Sequence, residues 1–236
     1  MSNVAVIFRR EVSGYFVTPV AYVVFAVFLV LSGYFFTMSL FATQTADMSI
    51  TFGNMSVTLL FVAPVLTMKM LAEEGRQGTM ELLLTSPASL TSIVVGKYLA
   101  AVFTFLVLLL VTALYPISLF WVSKPDLGPI LSGYLGILLL GAACLAVGMF
   151  ASSLTESQVV AGMLGFGLLL LFWVLGWASG NVTGVAGEVL GALSLLNRLD
   201  GFTRGIINGA DVLYYLSFAF AFVFLTVRVV DARRWS

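Results

Sequence analysis

The sequence predicts an all-α integral membrane protein with six transmembrane helices, and three observations lead there. Of its 236 residues, 61% are hydrophobic and 9% charged, whereas a soluble domain carries about 25% charged residues. Six apolar stretches are each long enough for the roughly 20 residues that cross about 30 Å of hydrocarbon. None of the six has an Asp, Glu, Lys or Arg near its centre. The chain reads as one transmembrane domain over residues 1–236.

The elements follow in order. Val4, Ile7, Phe8 and Val12 recur at helical spacing around Arg9, Arg10 and Glu11, a pattern that suits an amphipathic helix lying along the inner interface. The same two arginines would equally serve a simple positive-inside anchor. The first span, 18–41, is a retained span, because its apolar run far exceeds the roughly 7–15 residues of a cleavable leader. The others are expected at 52–70, 97–122, 130–152, 158–179 and 212–230. Pro64 and Pro116 should kink spans two and three, each removing a backbone donor and crowding the preceding turn. Spans four and five place small residues four apart, at Ala142 and Ala146, Gly148 and Ser152, and Ala161 and Gly165. Such pairs let helix backbones approach closely. The long segment 180–211 has Leu190, Leu193 and Leu196 at helical spacing, then Gly201, Gly205 and Gly209. It reads as two short interfacial or re-entrant helices.

Lys and Arg near the span ends set the orientation. One side collects Arg9, Arg10, Lys69, Arg76, Lys97, Arg228, Arg233 and Arg234, and the other Lys124, Arg198 and Arg204. That asymmetry places both termini and the 71–96 segment in the cytoplasm.

Composition also excludes function classes. Eleven basic and eleven acidic residues balance, so no basic surface points to nucleic acid. There is no histidine, and Cys144 is the only cysteine. A histidine-based catalytic triad, a histidine-ligated metal and an internal disulfide are therefore ruled out. An ion-coupled secondary transporter is disfavoured by the lack of ionisable residues at the span centres.

The chemistry concentrates in 71–96. Thr79 is a suitable N-cap, with Glu81 in the first turn, where the helix dipole favours an acid. Met80, Leu83, Leu84 and Pro87 recur at i, i+3, i+4 and i+7 and form one apolar face. Ser86-Pro87 ends the short helix, and SLTSIVVGKYLA starts the next. The apolar face suits either the underside of the bundle or a protein partner.

The string MLAEEGRQGTMELLLTSPASLTSIVVGKYLA resembles the motif of ABC-2 type transporter permeases, E-E-x-x-x-G-T-x-E-x-L-L-x-x-P followed by a stretch ending G-K. The matching positions are Glu73, Glu74, Gly78, Thr79, Glu81, Leu83, Leu84, Pro87, Gly96 and Lys97, with a departure at Gly75, where relatives often carry a basic residue. The likeness extends to the six-span plan, the N-terminal RRE, and more weakly to Phe202, Arg204, Gly205, Ile206, Ile207 and Asp211. It is greatest toward the gliding-motility (GldF-like) branch, with NosY-like and NatB-like relatives.

This resemblance implies a type V exporter-like fold with a coupling helix at about 79–86 that docks on a separate ABC ATPase, present in two copies. That partner would bind ATP and Mg, since no G-x-x-x-x-G-K-[ST] string occurs in this chain. It implies a second permease chain, identical or related, meeting this one along spans two and five at Pro64, Gly162, Gly165 and Gly167. It further implies a bacterial-type inner membrane, an accessory protein with a large extracytoplasmic domain, and an outside re-entrant element at Phe202, Arg204 and Gly205. The expected role is that of a non-enzymatic permease subunit, with export the leading direction. An ATP-driven mechanical or signalling complex of gliding-motility type remains the alternative.

Overall fold

A computed structural model describes residues 3–43, 47–78, 89–122, 125–179 and 184–233. Among these residues the fold is all-α, and six of its helical stretches are long and apolar enough to cross a membrane. Helix α1 spans Asn3–Val17, and α2, Pro19–Thr43, follows after Thr18 alone. Next come α3, Ser49–Thr67, and the short α4, Ala72–Arg76. Helices α5, Leu90–Thr112, and α6, Leu114–Val122, together form the third span. Helix α7 is Leu127–Ser153 and α8 is Gln158–Ser179. Two short helices, α9 at Val185–Leu193 and α10 at Leu199–Thr203, precede α11 at Gly209–Ala232. The short helices expected within 180–211 are thus present.

The helices begin where side chains supply the missing acceptors. Ser89 accepts from the Ser92 amide at the start of α5, Asp126 from Gly128 at α7, and Asn208 from Ala210 at α11. Helix α5 starts at Leu90, about two turns before the expected edge of the span. Helix α3 likewise starts at Ser49, ahead of residue 52.

The two prolines behave differently. Helix α3 runs through Pro64 without interruption. Pro116 marks a break, with Ala113 standing outside both α5 and α6. Proline at 116 has no N–H for the carbonyl of Thr112, four residues back. The Tyr134 hydroxyl of α7 donates to that carbonyl at 2.8 Å instead.

The core lies around α3 and α7. Of the most apolar stretch of each span, 72% is buried in the α3–α4 span and 67% in α7, against 17% in both α8 and α11. Phe28, Phe52, Phe105 and Phe202 are fully buried. Gly141 lets α7 come so close to α5 that any Cβ there would overlap the Phe105 ring. Helix α8 seats on the pair α3 and α7 through Gly165, whose Cβ position lies 3.5 Å from Pro64 Cβ and 3.6 Å from both Gly148 Cα and Ala151 Cβ. The small-residue spacing at Gly148 and Gly165 is therefore spent on packing within the chain.

Candidate functional site

The residues of the 71–96 motif begin where α3 gives way to α4, and that junction is built by α7. Helix α3 stops at Thr67, leaving the amides of Leu71 and Ala72 to start a new turn. Ser152 Oγ accepts from both, each at 3.1 Å, and itself donates to the Met68 carbonyl at 3.1 Å. The two amide bonds are buried, where a lost partner would be costly. The other end of α4 is closed by Gly78, whose φ of 68° lies in the left-handed region. That conformation suits glycine and turns the chain away from the helix axis.

Within α4 the two motif carboxylates part. Glu73 faces outward and accepts from the Gln77 amide at 3.2 Å. Glu74 turns inward, with its Oε1 2.7 Å from Lys97 Nζ on α5. Lys97 also lies 2.9 Å from Glu11 Oε1 on α1. Its side chain is only 4% exposed, against 17% for Glu74 and 23% for Glu11. An ammonium so buried needs partners, and the two carboxylates supply them. The second acid of the motif, Glu74, and its closing lysine, Lys97, thus meet, with α1 as the third member.

Helix α1 is held in place by more than charge. Ile7 and the Val4 carbonyl crowd Gly96 on α5, and the Phe8 and Phe103 rings meet edge to face at 5.6 Å. Tyr15 donates to the Leu66 carbonyl of α3 at 3.1 Å. Burial, and then the Glu11 carboxylate, hold that hydroxyl above the ordinary tyrosine range, so it stays a neutral donor. On the far side of α4, a Cβ at position 75 would stand 2.9 Å from Glu156 Cγ and 3.7 Å from Arg233 Nη1. Glycine at 75, the departure from the family pattern, sits where the α7–α8 connection and the end of α11 close on α4.

Of the expected coupling residues, Glu73, Glu74 and Gly78 are in or next to α4. Thr79, Glu81, Leu83, Leu84 and Pro87 lie outside the described residues. Of the expected packing or interface residues, Pro64 and Gly165 meet inside the chain, and a Cβ at Gly162 would stand 3.7 Å from Met68 Sδ. Gly167 has nothing within 4 Å of its Cβ position, so it points to open space.

The third expected group lies at the opposite end of α7. Phe202 is fully buried, and its carbonyl accepts from Ser132 Oγ at 2.7 Å. Twenty helical residues separate Ser132 from Ser152, or about 30 Å of helix, so the two ends are a membrane thickness apart. Gly205 has φ 89°, and a Cβ there would stand 3.3 Å from Pro129. Arg204 pairs with Asp200 at 2.6 Å in the open, 69% and 62% exposed. The stronger tie is one that sequence reasoning did not single out. Arg198 binds Asp211 at 2.7 Å and stacks over the Tyr214 ring at 4.1 Å. The Tyr214 and Tyr215 hydroxyls donate to the Leu193 and Leu195 carbonyls, fastening the short helices to α11.

Glu11 and Ser152 were also missed as site residues. Lys97 carried a usable signal, since a lysine inside a long apolar helix needs a carboxylate partner. Ser152 carried none, because its role depends on which turn of α3 it faces. Among the described residues, no group of three or more His, Cys, Asp or Glu side chains is placed to hold a metal ion.

Six helices long and apolar enough to cross a membrane, with a charged junction at one end, define a multi-pass membrane protein. The family model described as ABC-2 family transporter protein matches residues 20–196, three quarters of the chain, and the protein belongs to that family. It is therefore a permease component of an ABC transporter, a class that works with an ATPase partner. No curated protein matches the chain significantly.

Proposed function

We propose that this chain forms half of the translocation path of an exporter, and that the junction of α1, α4 and α5 transmits the stroke of the ATPase. In this reading two permease chains, identical or related, pair with two ATPase subunits that bind ATP and Mg. Both termini and the 71–96 segment face the cytoplasm of a bacterial-type inner membrane. The segment at about 79–86 docks on the ATPase through Thr79, Glu81, Leu83 and Leu84, flanked by Pro87. The GldF-like branch is the nearest relation we infer, with an accessory protein bearing a large extracytoplasmic domain.

The observation that carries this reading is the buried contact of Lys97 with Glu74 and Glu11. Force applied just beyond Gly78 reaches Glu74 within a few residues, and through Lys97 it reaches α5 and α1 together. Ser152 conveys the same displacement to α7. Elements tied in this way move as a rigid body, which is how ATP-driven closure is passed into a membrane domain.

The test is to purify the chain with its ATPase and measure assembly and substrate-stimulated ATP hydrolysis in Glu81→Lys and Leu83→Asp variants. Loss of stimulation, with assembly weakened, is expected; unchanged assembly and turnover would overturn the coupling role. ATP turnover with no species carried across proteoliposomes would replace export by mechanical or signalling work.

A further inference from the structure

Where α5 gives way to α6 at Ala113, a cleft of ≈ 380 Å³ lies between these helices and the first half of α7. Its volume falls within the about 300–1,000 Å³ of small-molecule sites. Leu109, Pro116 and Ile130 are buried at its floor, and Leu110, Ile117 and Leu131 stand exposed at its lips.

The lining has nothing polar to offer a ligand. No charged side chain belongs to it, and Tyr134 is its only side chain with a polar atom. The Tyr134 hydroxyl already donates to the Thr112 carbonyl at 2.8 Å. The carbonyls of Leu109, Leu110 and Ala113 are taken too, by Thr112 Oγ1 and by the amides of Ala113 and Ile117. The break is thus satisfied from within the protein, as backbone at membrane depth requires. A charged or hydrogen-bonding ligand would lose its water there and gain no partner.

Depth and width narrow the occupant further. Every lining residue belongs to the membrane-crossing stretches Leu90–Trp121 and Leu127–Ser153, so the surrounding medium is hydrocarbon. On α7 the lining runs from Ile130 to Leu138, about 12 Å of helix rise. Spread over that length, the volume leaves a cross-section of about 30 Å², against about 80 Å² for a helix 10 Å across. A helix of a second copy is too thick for the cleft, whereas one unbranched hydrocarbon chain fits it. We propose that a single acyl chain of a membrane phospholipid is held there, along Leu109, Pro116 and Ile130. The lipid belongs to the leaflet opposite the Lys97 cluster, because the lining lies in the half of α7 remote from Ser152. The driving force is packing. Lining atoms beside a void forfeit dispersion contacts, and a chain seated among α5, α6 and α7 meets a density that liquid hydrocarbon lacks. The site requires only that the third and fourth spans cross a bilayer, so it stands whether or not the coupling role does.

The test uses the full chain in phosphatidylcholine vesicles doped with a phosphatidylcholine that carries a diazirine at mid-chain. After irradiation, mass spectrometry maps the labelled residues. Labelling at Leu109 and Leu135, in the cleft, should exceed labelling at Leu216 and Phe220, exposed on α11, by about tenfold. That factor is the scale of about ten additional close carbon contacts. Ala113→Phe fills the cleft without adding polarity and should bring the excess down to the level of α11. Leu216→Phe places the same ring outside the cleft and should leave the excess unchanged.

Equal labelling of the cleft and of α11 would reduce the effect to ordinary lipid contact and overturn the site. An undiminished excess in Ala113→Phe would do the same. If Ala113→Phe does not fold, Leu135→Trp fills the cleft from the α7 side, and the same two outcomes decide. Leu131→Cys in a Cys144→Ala background probes the other occupant. Its thiol should stay free on oxidation, and a disulfide joining two copies would make the cleft a subunit interface and overturn the proposal.

Discussion

Lys97 is the residue on which the polar junction depends. Its ammonium lies between two carboxylates on two other helices and is almost wholly withdrawn from solvent. Replacing Lys97 by Met leaves Glu11 and Glu74 facing each other across an apolar gap. The expected cost is about 3 kcal/mol, the lower end for a broken buried pair, because both carboxylates keep some exposure. Adding Glu11→Gln and Glu74→Gln should restore most of the loss, since a neutral trio leaves no uncompensated charge. Denaturant unfolding of both variants in detergent checks the ordering. The glycines give a second contrast at this scale. Gly141→Ala drives a methyl into the Phe105 ring and should cost about 1–3 kcal/mol. Gly167→Ala meets open space and should be neutral or stabilising by up to about 1 kcal/mol, from helix propensity alone.

At the scale of elements, the sequence was legible wherever a rule acts within a few residues. The six spans follow from apolar length. The start of α5 after Ser86-Pro87 and the short helices between α8 and α11 follow from chain-breaking and periodicity, whereas α4 and its end at left-handed Gly78 are not part of that reading. The difference between Pro64 and Pro116 does not, because proline fixes only what is lost and not what replaces it. Tyr134 is the replacement at Thr112, and no local pattern links those positions. A double-mutant cycle tests the link. Tyr134→Phe alone should cost about 1–2 kcal/mol by leaving the Thr112 carbonyl without its main donor. In a Pro116→Ala background, where residue 116 regains an N–H, the loss should shrink by more than additivity allows. Ser152→Ala is the corresponding test at the α3–α4 junction. It strands the amides of Leu71 and Ala72, with an expected loss of about 1–3 kcal/mol in thermal or denaturant unfolding.

At the scale of the whole molecule, charge and burial are distributed along different directions. Charges gather at the two ends of the bundle, with Glu11, Glu74, Lys97, Glu156 and Arg233 at one and Arg198, Asp200, Arg204 and Asp211 at the other. Single-cysteine labelling in a Cys144→Ala background reads the proposed orientation. Gln77→Cys should react with an impermeant thiol reagent only in inverted vesicles, and Asp200→Cys only in intact cells. The opposite pattern would reverse the topology. Burial instead falls from the inner pair, α3 and α7, toward α8 and α11. Family resemblance marked the motif, but the pairing of Glu74 with Lys97 was not legible, because they lie on different helices with the 79–88 stretch between them.

The order of the triad along the chain has a consequence for biogenesis. Glu11, Glu74 and Lys97 all lie before the end of α6. A ribosome that has just released Val122 to the insertion machinery has therefore already delivered every charge the cluster needs, while α7 has still to reach the membrane. The first three spans can neutralise their own polar burden during synthesis, with no wait for later helices. Ser152 arrives afterwards and latches a corner that has already formed.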